Sequence, residues 1–402
     1  MSWLTAPILS SRAAPFWLLV AITASGTMAM HILVPVLPLA ASDLGVSAGA
    51  VQLTITLYLF GVAGGQLLYG PASDRLGRRP VLLGALALYV AAGVVAGLAP
   101  NLPVLLAARV VQAVGGCGGL VLGRAVVRDA AGQGSQAASR MALLTMTQSL
   151  APGLAPALGG YLGAWFGWRS IFVLLVGLGL LTLVATMLSL PETAASRGAA
   201  TGRMLPSYAR LLRQPAFRGF VLGGAFTSTS LYAYLAASPF IFTEILHRPA
   251  EEAGLFYLAV MAGVPLGSFF ASRFVRRLPL PTMLRISSGV AVAGAAALFL
   301  VTVTGHLSVG TILAAMVVYS MGIGATSPIA LTAALGVQPQ MIGAASGLYG
   351  FFQMAFGAVC TLLVSLLPGS PAFGAAAILL VATVAGLVML TAATRRRGDR
   401  PE

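Results

Sequence analysis

No lysine occurs in the 402 residues, and the chain carries only nine acids, three histidines and two cysteines. Each shortage excludes something. Without lysine no phosphate-binding loop of the G-x-x-x-x-G-K-[ST] type is completed, so ATP is not the direct energy source. Cys117 and Cys360 lie far apart in apolar segments and read as small packing residues, not as a disulfide framework. His31, His247 and His306 are scattered, and all nine acids fall at span ends or in loops. A membrane-embedded enzyme would group such residues at helical spacing, so no catalytic centre, metal site or cofactor is expected. Charged residues make up only 8% of the chain, so the net charge of +14 has no polar surface from which to read a nucleic acid.

What fills the chain instead is apolar: 58% of residues, with a mean hydropathy of +0.94. A helix needs about twenty apolar residues to cross a bilayer. Twelve such runs are predicted, at 15–40, 48–71, 80–99, 103–128, 137–164, 168–190, 216–245, 250–273, 280–304, 307–335, 340–367 and 371–394. The first continues past the length of a signal segment and is read as a retained span. The polar stretch from Pro191 to Arg218 divides the runs into two sets of six. The expected fold is therefore an all-α integral membrane protein, with twelve transmembrane helices in two pseudo-symmetric six-helix bundles. The expected parts are 1–195, a central linker at 196–215, and 216–402.

Arginine sets the orientation, because positive loops stay in the cytoplasm. Nineteen arginines fall on one side, among them Arg75, Arg78, Arg79, Arg273, Arg276, Arg277 and Arg285, and only Arg169 and Arg248 on the other. Both termini are thus predicted to be cytoplasmic, in a bacterial inner membrane. Arg109 and Arg124 lie inside span four.

The loop between spans two and three reads GPASDRLGRRP, and a degraded copy, GSFFASRFVRR, follows span eight with Ala271 in the place of Asp74. Gly70, Asp74, Arg75, Gly77, Arg78 and Arg79 match the G-x-x-x-D-R-x-G-R-R signature of the major facilitator superfamily. Arg109, Gln112 and Gly115 resemble its R-x-x-Q-G motif in span four. APGLAPALGG from Ala151, with Pro152, Pro156, Gly159 and Gly160, resembles its antiporter motif in span five. RAVVRD, LAPGLAP and LVPVLP are most similar to the bicyclomycin and chloramphenicol resistance branch of drug:proton antiporters.

The resemblance implies a conformational latch at the loop. Asp74 is placed to meet the positive N-terminal end of span eleven near Met341, Gly77 to allow the tight turn, and Arg78 to pair with Asp129. Pro152 and Pro156 leave carbonyls unpaired and bend span five, whose small face permits close approach to a neighbouring helix. Proton coupling departs from the family pattern. The acid expected four residues before the proline of span one is replaced in HILVP by His31. His31, opposed by Arg109 and accompanied by Arg124, is the expected coupling site, the other reading of His31 being a neutral hydrogen-bonding group in the cavity wall. Tyr58, Gln112, Gln148, Tyr232, Tyr234, Tyr319 and Gln353 are the candidate substrate-binding residues. With no carboxylate at mid-span and two arginines, the cavity suits neutral, zwitterionic or anionic amphiphiles. The predicted activity is secondary active export of such a compound with protons as the coupling ion, by a monomer. A facilitator or importer of a small metabolite is the alternative.

Overall fold

A computed structural model describes residues 15–130, 135–192, 204–274, 277–367 and 370–398. Backbone polar groups find no partner in hydrocarbon, so a chain this apolar folds into helices that bond internally. Every regular element among the described residues is helical. Spans one to four are Phe16–Leu44, Ala48–Leu76, Arg78–Gly97 and Leu102–Val127. Span five is the helix Ser135–Phe166 and span six Ser170–Ser189. Spans seven to twelve are Pro215–Ile245, Glu251–Phe274, Leu280–Val303, Val309–Leu335, Ile342–Leu366 and Pro371–Arg395. A short helix, Met204–Leu212, lies within the stretch expected to be linker, and its Leu211 is buried against span seven and its neighbours.

The two halves repeat one packing scheme. Span four packs on spans one, two and three, and span ten on spans seven, eight and nine. Span six lies on spans one and three, and span twelve on seven and nine. Small residues set the closest approaches. A β-carbon on Gly115 would lie 2.6 Å from the Tyr89 amide nitrogen, and one on Gly294 2.4 Å from that of Tyr319. The halves join along two seams, span two against span eleven and span five against span eight.

Span one is broken where a continuous helix was expected. Its first helix, Phe16–His31, gives way to a 3-10 turn at Val34–Val36 and a second helix, Leu37–Leu44. The cause is legible in HILVPVLP: Pro35 has no N–H for the His31 carbonyl, and Pro38 falls in the first turn of the second helix, where the missing donor costs nothing. Span seven is broken at the matching place, between Pro215–Thr229 and Leu231–Phe240, and ends in a π-helical turn at Ile241–Ile245. In contrast, span five runs as one helix through both Pro152 and Pro156.

Candidate functional site

The two broken spans meet at their breaks. His31, the last residue of the first helix of span one, is buried and stacks on Tyr232, the second residue after the break in span seven, with ring centroids 6.0 Å apart. The Tyr232 hydroxyl donates to Met30 Sδ at 3.6 Å, so two consecutive residues of one half touch one ring of the other. His31 Nδ1 lies 2.9 Å from the Thr27 carbonyl oxygen. A carbonyl only accepts, so Nδ1 carries the proton of the neutral ring and Nε2 keeps the lone pair able to take another.

Arg109 lies against the same helix end from the other side. It is fully buried, and Nη2 donates to the Ala29 carbonyl at 2.9 Å while Nη1 donates to Gln112 Oε1 at 2.8 Å. Its guanidinium sits 4.1 Å from the centre of the Tyr58 ring. No carboxylate is in contact with it among the described residues. A buried cation without a counter-ion is costly. Three features offset the cost: the negative end of the broken helix, a carbonyl freed by that break, and a tyrosine face worth about 2 kcal/mol when desolvated. Tyr58 and Tyr89 complete the arrangement by donating to the carbonyls of Gly26 and Ser25, at 3.1 and 3.2 Å. Arg109 Nε and Gln112 Nε2 have no partner among the described residues. His31 and Arg109 do not face each other: one meets Tyr232, the other the backbone two residues earlier. Arg124, seven residues after Cys117 and on the same helix face, is exposed.

Other expected binding residues divide by burial. Tyr58, Gln112 and Tyr319 are fully enclosed within their own halves, the last bonded to Ser230 Oγ and the Thr227 carbonyl at 3.0 Å each. They brace the breaks. Tyr234 is buried against Tyr257, and its hydroxyl has no partner among the described residues. Gln353 of span eleven is half-buried and donates to Ser228 Oγ at 3.0 Å. One turn away Phe356 stacks on Phe226 of span seven at 4.0 Å, a half-buried aromatic pair that the sequence reading missed. The side chains of Gln148 and Asp129 lie outside the described residues.

The GPASDRLGRRP loop is tied down from within its own half. Asp74 pairs with Arg78 at 2.7 Å, and Arg78 also donates to Ser73 Oγ. Gly77 has φ of 98°, a conformation that favours glycine. The first amides of span three, those of Arg78 and Arg79, donate to the two carboxylate oxygens of Glu192 at 2.9 and 3.3 Å. Glu192 thus caps the N-terminus of span three from just beyond span six, and Arg79 donates to the Met187 carbonyl at 2.8 Å. Sequence reading placed Glu192 in a loop without a role. Gly70 is half-buried and Arg75 exposed beside this loop.

At the opposite face the halves are in contact. Gln52 Nε2 donates to the Ala236 carbonyl at 3.0 Å, and the Thr56 and Thr361 hydroxyls lie 2.8 Å apart. Gly254 of span eight packs on span five so closely that a β-carbon there would lie 2.7 Å from the Pro156 carbonyl oxygen. A β-carbon on Gly159 would lie 1.9 Å from the Ile32 carbonyl oxygen of span one. Gly160 is buried beside it. The small face of span five therefore serves two approaches, one within its half and one across the seam.

A model of the Major Facilitator Superfamily matches residues 17–361. The chain is 31% identical to a chloramphenicol resistance protein of Pseudomonas aeruginosa over 93% of its own length and 89% of the other. It is 29% identical to multidrug resistance protein D of Escherichia coli strain K12, over 93% of each chain. A solved bacterial homologue of the human lysosomal transporter Spinster, inward-facing and occupied, has a TM-score of 0.73 at 17% identity, covering 96% of this chain and 98% of that one.

Proposed function

Because the chain belongs to the major facilitator superfamily and is similar to drug-resistance members of it, we propose that it exports neutral, zwitterionic or anionic amphiphiles in exchange for protons. The observation that carries the proposal is the meeting of two helix breaks at His31 and Tyr232, one from each half. Interrupted spans at matching positions are where transporters of this architecture hold their cargo and coupling ion.

The two bundles, 1–195 and 216–402, rock against each other about this point, and the arginine-rich face is cytoplasmic. The contacts at Gly254, Gln52 and Thr56 support a reading of the present conformation as closed on the outer side. His31 is the proton carrier. Charge on its ring inside that contact is unfavourable, so a proton taken up while the outer side is open is released to the inner side once the halves have closed, and cargo binds before they open again. Arg109 fixes the end of the helix that carries His31 and keeps the region positive, which disfavours cationic cargo. Phe226, Phe356, Gln353 and Ser228 form the wall on which an amphiphile rests, with aromatic area for its apolar part and an amide and hydroxyl for its polar part. Asp74, with Arg75 and Arg78, latches the loop when the inner side closes.

The test is transport in inside-out membrane vesicles from cells lacking their own exporters. Chloramphenicol, a neutral amphiphile, is expected to accumulate in energised vesicles containing the protein and to leak out when the proton gradient is collapsed. Equal flux in both directions whatever the gradient would favour an uncoupled facilitator, the reading supported by the lack of an acid at the site.

A further inference from the structure

The degraded copy of the loop motif ends in a different kind of surface. An apolar groove of about 250 Å³ opens between spans eight, nine and ten beside GSFFASRFVRR. Phe270, Phe274 and Ile286 form its exposed walls, and Ala271, Met283 and Met321 line its deeper part. Small residues make it deep: a β-carbon on Gly267 would lie 1.9 Å from the Met321 carbonyl oxygen, so spans eight and ten touch through their backbones. The one hydroxyl in the lining, that of Ser287, is satisfied by Thr326 at 2.9 Å. Nothing in the groove offers a polar molecule a partner, and its walls face the lipid.

Charge lies at its rim. Arg273 ends span eight, Arg277 is in the turn that follows, and Arg285 is in the second turn of span nine, all exposed. Their side chains form no ion pair or hydrogen bond among the described residues. The first half is the internal control. There Asp74 neutralises Arg78 and Glu192 occupies the amides that open span three. In the second half Ala271 replaces the acid, and the residue that opens span nine, Pro279, provides no side-chain cap.

We propose that this groove binds one anionic phospholipid from the leaflet on the arginine-rich side, with an acyl chain along Phe270, Phe274 and Ile286 and the phosphate between Arg273, Arg277 and Arg285. Apolar surface below and unpaired cations above match the two parts of such a lipid, and basic pockets between spans on this side bind anionic headgroups. The lipid supplies the negative charge that Asp74 and Glu192 supply in the other half, and it steadies the hinge between spans eight and nine.

The experiment uses the full-length protein, stripped of lipid in detergent and titrated with phosphatidylglycerol or phosphatidylcholine of identical chains, with bound lipid counted by native mass spectrometry. One phosphatidylglycerol is expected to bind with clear preference over phosphatidylcholine. Arg273→Gln, Arg277→Gln and Arg285→Gln should each weaken it roughly fivefold and the triple variant on the order of a hundredfold. Ala325→Phe, which fills the groove without changing charge, should also lose it. Equal retention of the two lipids by the parent protein, or full retention of phosphatidylglycerol by the triple variant, overturns the proposal. Complete displacement by water-soluble glycerol phosphate does so too, because the groove would then contribute nothing.

Discussion

Arg109→Leu is expected to abolish gradient-driven export while leaving the protein as stable as its parent, or more so. The two effects part because Arg109 is a buried cation with no carboxylate partner among the described residues. Replacing buried ionic groups by hydrophobic residues of similar volume is often neutral or stabilising. The loss of hydrogen bonds to Ala29 and Gln112 works against this by about 1–3 kcal/mol, and the removal of the desolvated charge offsets it. Export should fall at least a hundredfold, about 2.7 kcal/mol, because the end of the helix that presents His31 loses its clamp. Arg109→Lys should not restore it, since one ammonium cannot reproduce two nitrogens aimed at two acceptors. Thermal unfolding of the purified variants, followed beside transport, checks both halves of the expectation. A leucine variant that unfolds well below the parent would make Arg109 a structural residue.

Gly254→Val carries the second large effect, on conformation. The β-carbon alone would lie 2.7 Å from the Pro156 carbonyl oxygen and 2.9 Å from Ala157 Cα, both backbone atoms across the seam. Neither can turn aside. Overpacking of this kind costs about 1–3 kcal/mol, enough to shift a two-state equilibrium roughly 5- to 150-fold away from the closed outer face. The variant should fold, because the clash is relieved by opening, and should transport at least tenfold more slowly. Gly159→Val is the contrast: its neighbour, the Ile32 carbonyl of span one, belongs to the same half, so it should cost stability in every conformation. Distances between spin labels on the outer ends of spans five and eight are expected to lengthen in Gly254→Val. An unchanged distance distribution would show that the seam does not gate.

The parts legible in the sequence were those with a one-dimensional signature. Twelve apolar runs gave the all-helical membrane fold, and eleven of them return as helices long and apolar enough to cross a membrane among the described residues. The break in span one is written in the two prolines of HILVPVLP, not in the length of its apolar run. Length is blind to a proline that removes one donor. The partners of buried polar groups were hidden for a different reason. Arg109 is held by a backbone carbonyl, which every residue possesses, so no residue type announces it. Glu192 caps amides 113 and 114 residues earlier, a contact made only once span six has packed against span three. Tyr232 stood among the expected binding residues for its chemistry, but that it would meet His31 depends on two breaks falling at one depth.

The most direct test of proton-coupled export through His31 is accumulation of chloramphenicol by proteoliposomes under an imposed gradient of one pH unit, acidic inside, with the membrane potential clamped at zero. One proton exchanged per molecule sets a limit of about tenfold accumulation, since one unit is worth about 1.4 kcal/mol. The parent protein is expected to approach that limit. His31→Ala is expected to equilibrate the compound without accumulating it, and His31→Asp to restore at least part of the gradient. Full accumulation by the alanine variant would contradict the account and remove His31 from the coupling path.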